Sequence, residues 1–66
     1  MTKEEYRKKV IDAVMYIYEC HREKAVEMVS NMEHIIDNNY ACDSQFPNNI
    51  TTEDIYDTAR EIVYYS

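Results

Sequence analysis

A chain of 66 residues with a formal net charge of −6, no glycine and one proline, Pro47, has room for a single domain, here residues 1–66. A domain this short buries only about 60% of the surface its unfolded chain exposes, so the apolar 45% of the residues makes a marginal core. The acidic balance argues against direct nucleic-acid binding, which needs clustered Lys and Arg, and no apolar run approaches the ~20 residues of a membrane span.

Glycine normally supplies about 7% of a chain. Without it, residues 2–40 carry almost no backbone punctuation, and their composition favours helix. Thr2 with Glu5 three residues later makes a capping box, which predicts a first helix over residues 3–20. Tyr6, Val10, Ala13, Val14 and Ile17 form one apolar stripe along it, and Ile11, Met15 and Tyr18 form a second beside the first. A surface helix shows a stripe somewhat over 100° wide, and this arc spans roughly twice that. The first helix is therefore expected to be covered on two sides.

Residues 23–40 give a second amphipathic pattern, with Ala25, Met28, Val29, Met32, Ile35, Ile36 and Tyr40 on one face. Its phase nearly continues that of the first helix. A break could fall at Cys20–Glu23, or at Ser30–Asn31, where Ser30 and Glu33 have the spacing of another capping box. The remaining alternative is one fused helix of ~57 Å at 1.5 Å per residue. A fused helix cannot bury both stripes in a monomer, so that version must be a dimer or a higher oligomer, with Ile11, Met15 and Tyr18 as the candidate homodimer seam. Ordinary helix lengths favour two separate helices.

Residues 41–51 are rich in turn formers and read as a loop, with Phe46 and Ile50 expected to fold inward. Thr51 caps a last helix over residues 52–65, with Asp54 in the box position and Ile55, Ala59, Ile62 and Val63 as its buried stripe. The predicted fold is all-α, a small three-helix bundle.

Charge is unevenly placed along this fold. Residues 25–66 hold eight acidic side chains and only Arg60 in opposition. Glu53, Asp54, Asp57 and Glu61 recur along the last helix as an acidic ridge, and Asp37 and Asp43 flank the loop leading into it. A helix stabilised for its own sake mixes signs in i, i+4 pairs, which this one does not. Seven tyrosines stand against one phenylalanine and no tryptophan. Tyr6, Tyr18 and Tyr40 fit core stripes with their hydroxyls at the rim. Tyr16 falls on the polar side of the first helix, and Tyr64 and Tyr65 cannot both face a core. Exposed tyrosine beside carboxylate is the composition of a protein-binding hot spot.

Other chemistries find less support. Cys20, His21, His34 and Cys42 are zinc-competent, yet no Cys-x-x-Cys or His-x-x-x-His pair fixes half a tetrahedron, so no metal or other cofactor is expected. A Cys20–Cys42 disulfide requires Cα atoms within about 7 Å and an oxidising compartment. No apolar stretch follows a basic start, so the expected location is the cytoplasm, with free thiols. No phosphate loop, serine elbow or Asp-x-Asp pair is present, so a non-enzymatic protein is expected.

The stretch Thr51-Thr52-Glu53-Asp54-Ile55 resembles the start of the last helix of colicin-type immunity proteins, small acidic helical proteins that neutralise bacteriocin nucleases. That resemblance implies a nuclease-immunity-like inhibitor. The Tyr-Tyr-Pro contact segment of that family is missing, with only Phe46-Pro47 nearby, so no contact residues carry over. Size, acidity and richness in Asn, Ile, Tyr, Lys and Glu also look like small phage or mobile-element proteins, which would place the chain in a host-cell cytoplasm. The leading expectation is an inhibitor or adaptor that docks on the basic surface of a nucleic-acid-handling protein, as in an anti-defence factor. Its carboxylates would stand where phosphates would, with Glu53, Asp54, Asp57, Glu61, Asp37, Asp43, Tyr64, Tyr65 and Tyr16 as the docking residues. The alternative is a homo-oligomeric helical module whose acidity serves only solubility.

Overall fold

A computed structural model describes residues 1–43 and 50–66, and the described residues form helices without strands. Four helices follow in order: α1 (Lys3–Tyr18), α2 (Arg22–Asn31), α3 (Glu33–Asp43) and α4 (Thr52–Tyr65). The Thr2 hydroxyl accepts from the Glu5 amide at 3.1 Å and starts α1 where the capping signal places it. The helix stops at Tyr18, two residues earlier than expected, because Glu19 turns into the left-handed region at φ 52°, ψ 53°. That conformation normally falls to glycine; with no glycine in the chain, a glutamate carries it.

The helix expected over residues 23–40 is two helices, so the bundle has four helices where three were expected. Both breaks weighed from the sequence are present, and the fused helix is excluded. At the second break Met32 adopts φ −122°, ψ 37°, and single-turn bonds run from its amide to Val29 O (3.1 Å) and from the Ile35 amide to its carbonyl (2.9 Å). Ser30 and Glu33 serve a different partner from the one their spacing suggests. Arg7 Nε donates to both Glu33 carboxylate oxygens (3.1 and 3.2 Å), and its Nη2 donates to Ser30 Oγ at 2.9 Å. Side chains that could have capped α3 instead tie the break to α1. Helix α3 then runs to Asp43, beyond the predicted end at Tyr40.

Helix α1 touches the other three helices, most extensively α4 and then α2. Tyr6, Val10, Val14, Val29, Ile36 and Ile62 are fully buried between them. Each such aliphatic side chain contributes about 1.5–3 kcal/mol by leaving water. The whole measures 31 × 19 × 19 Å. Ile11 is buried within one chain at 2% exposure, Met15 is half-buried and Tyr18 is half-exposed. The proposed dimer seam is therefore not an open apolar stripe, because a single copy already covers its first residue. Tyr18 also departs from its expected core position: it is the last residue of α1 and half its surface is open to solvent. Ile50 is half-buried against the core as expected, and Phe46 lies outside the described residues.

A polar seam crosses this apolar interior. The hydroxyls of Tyr6 and Thr58 share a hydrogen bond at 2.7 Å, and Asn39 Nδ2 donates to Thr58 Oγ1 (3.0 Å) and to Glu61 Oε2 (3.1 Å). Tyr6 was expected to hold its hydroxyl at the rim. It is fully buried instead, which is tolerable because Thr58 meets it there. Tyr40 packs its ring 5.4 Å from that of Tyr6 and donates its hydroxyl to the Met1 carbonyl at 2.9 Å. These bonds join the start of α1 to α3 and α4, and they fix how the faces of α4 are distributed.

Candidate protein-docking surface

Helix α4 has the strongest amphipathic pattern of the four, and its two sides do different work. At its start the capping box is complete: Thr51 Oγ1 accepts from the Asp54 amide (3.2 Å) and Asp54 Oδ2 accepts from the Thr51 amide (3.0 Å). Such a cap stabilises a helix by about 1 kcal/mol. Ile55, Thr58, Ala59 and Ile62 then face the interior. On the opposite face, Glu53, Asp57, Arg60 and Tyr64 are exposed.

The expected acidic ridge is only partly assembled. Glu53 is exposed and has no hydrogen bond or ion pair among the described residues. Asp57 pairs with Arg60 one turn on; both ends of that pair are exposed, so it contributes under about 1 kcal/mol. Asp54 and Glu61 lie at the edge turned toward α3, the first held by the cap and the second by Asn39. Asp37 is separate from the ridge: on α3 it forms an ion pair with Lys3 of α1, which raises the Lys3 ammonium above its ordinary value of 10.5. The Asp43 side chain lies outside the described part.

The expected tyrosines fall into two places. Tyr64 and Tyr65 are 80% and 64% exposed, their rings meeting edge to face with centroids 5.0 Å apart. That geometry suits the quadrupoles of both rings and leaves large surfaces bare to water. Tyr16 is also exposed, edge-on to Tyr56 at 6.2 Å across a shallow groove between α1 and α4. Glu53, Asp57 and Tyr64 thus share one outward face of α4. Tyr16 stands on the other side of that helix.

One feature escaped the sequence reading. A groove of about 370 Å³ runs between α3 and α4, with Met32, Ile35, Asn38 and Asn39 on one side and Glu61 and Tyr65 on the other. His34 stands at its margin. The available signal was Thr58, which falls in phase with Ile55, Ala59 and Ile62 and so had to meet a polar partner inside. Tyr6 meets it in the interior and Asn39 meets it from the groove side, where the same Nδ2 also donates to Glu61.

Cys20 is half-buried and Cys42 exposed, and both are free thiols. No helix among the described residues is long and apolar enough to cross a membrane. No protein-family model, curated protein or solved structure matches this chain. The likeness to immunity proteins accordingly rests on Thr51–Ile55 alone.

Proposed function

We propose that this protein is a small non-enzymatic inhibitor or adaptor that docks on a basic protein surface through the outward face of α4. The observation that carries the reading is the bare Tyr64–Tyr65 pair at the end of a helix that also exposes Glu53 and Asp57 and whose opposite face is locked into the core. A rigid helix costs little entropy to present such groups, and tyrosine supplies contact area with few rotatable bonds. Two carboxylates one turn apart can occupy positions that phosphates would take in a channel lined with Lys and Arg. Association is then fast and weakened by salt.

The test is affinity capture with the purified chain at low and high salt, repeated in the presence of double-stranded DNA as competitor. A basic nucleic-acid-handling protein is expected on the column, displaced by salt and by DNA. Capture should fail with Glu53→Lys/Asp57→Lys and with Tyr64→Ser. Capture that ignores salt, DNA and all three substitutions would remove the reading.

A further inference from the structure

We infer that the groove between α3 and α4 is a socket for an arginine side chain of the docking partner. This deepens the proposed docking role and rests on it. The groove offers three chemistries that one side chain combines. Met32 and the buried Ile35 provide apolar surface for an aliphatic stem. Glu61 provides the charge: its Oε2 accepts from Asn39, and its Oε1 accepts no hydrogen bond among the described residues. Tyr65, 64% exposed at the same edge, provides an aromatic face, and the amide of the exposed Asn38 provides a further acceptor.

Charge complementarity decides the occupant. Glu61 is the acidic side chain of the groove, and no Lys or Arg is among the described residues that line it, so a cation is drawn there. Among cations, the guanidinium fits this wall best. It is planar and weakly hydrated, can lie against a phenol ring, and can still direct an N–H fork at a carboxylate. A lysine ammonium is a point charge that gives up more hydration on entry. The arginine stem covers apolar surface while its head remains at the polar rim. Asn39 contributes by fixing Glu61 in place before the ligand arrives, so less side-chain freedom is lost on binding.

The experiment titrates the ¹⁵N-labelled chain with an acetylated, amidated (Ala-Arg)₄ peptide. Parallel titrations use its lysine counterpart and its uncharged citrulline counterpart. Shift changes are expected at Met32, Ile35, Asn38 and Tyr65 with the arginine peptide, several-fold weaker binding with lysine, and none with citrulline. Glu61→Gln keeps an acceptor for Asn39 yet removes the charge, and it should weaken binding about tenfold. Tyr65→Ala, at an exposed position, should weaken it several-fold without disturbing the fold.

Shifts confined to Glu53, Asp57 and Tyr64, with the groove unmoved, would overturn the socket and leave the docking face standing. Equal binding of arginine and lysine peptides, or full binding by Glu61→Gln, overturns it too. A peptide that moves no resonance also overturns the socket, and the docking reading is then decided by the capture experiment alone.

Discussion

The two sides of α4 each carry a polar contact and use it in opposite ways. On the inner side, the buried Thr58 hydroxyl shares a hydrogen bond with Tyr6 and accepts one from Asn39. On the outer side, Asp57 and Arg60 form an exposed ion pair. The inner bonds join α4 to α1 and α3, whereas the outer pair joins one turn of α4 to the next. A polar contact organises the fold when it is dry and spans elements; in water it mainly decorates a surface that other molecules can read.

The contrast is broken most severely by trimming the inner side. Ile62→Ala removes a fully buried side chain and should cost about 2–5 kcal/mol, enough to unfold much of a domain this small. Tyr64→Ala on the outer side should stay within about 0.5 kcal/mol of the parent. Urea unfolding followed by circular dichroism measures both, and equal losses would erase the distinction.

Thr58→Val comes next. It keeps the shape of the side chain and removes the oxygen that Tyr6 and Asn39 share, so a loss of about 1–2 kcal/mol is expected. The expected fall in melting temperature is about 4–16 °C, at roughly 4–8 °C per kcal/mol for a domain of this size.

Glu19→Gly sharpens the comparison from outside. The residue is exposed, but its backbone sits in the left-handed region, so glycine there should stabilise the protein by up to about 1 kcal/mol. A rise in melting temperature would show that an exposed position matters once the backbone is involved; a fall would show that the glutamate side chain outweighs its strain.

The smallest effect belongs to Lys3 and Asp37. Asp37 raises the Lys3 pKa in the folded state, so the pair's contribution is complete below the ordinary lysine value of 10.5 and is lost as pH rises through the raised one. The small stability difference between the parent and Lys3→Ala should therefore hold steady from neutral pH to about 10 and close above it. A difference that already changes between pH 6 and 9 would point to another group.

Helical class and the ends marked by side chains were legible in the sequence. Thr2 and Thr51 cap where their spacing says, because a hydroxyl three residues ahead of an acidic side chain is a local signal. The second break was legible as an option and misread as a mechanism. Ser30 and Glu33 have capping spacing, and only the fold reveals that Arg7, more than twenty residues earlier, takes both. The end of α1 left no composition signal at all, since the residue in the glycine conformation is Glu19. Of the residues expected to dock, Glu53, Asp57, Tyr64 and Tyr65 are exposed on α4. The sequence could not separate them from Asp54, Asp37 and Glu61, whose partners lie on other segments or in the backbone of the cap. Thr58 and Asn39 went unnoticed because each looks ordinary until the other stands beside it.

The hydrogen bond between Tyr6 and Thr58 spans 52 residues. Helix α1 makes its most extensive contacts with α4, the last helix described, so its cover is completed by the pairing that is most distant in sequence. Closure over that separation must be reached before its contacts reward it, which slows folding relative to a bundle held by local contacts.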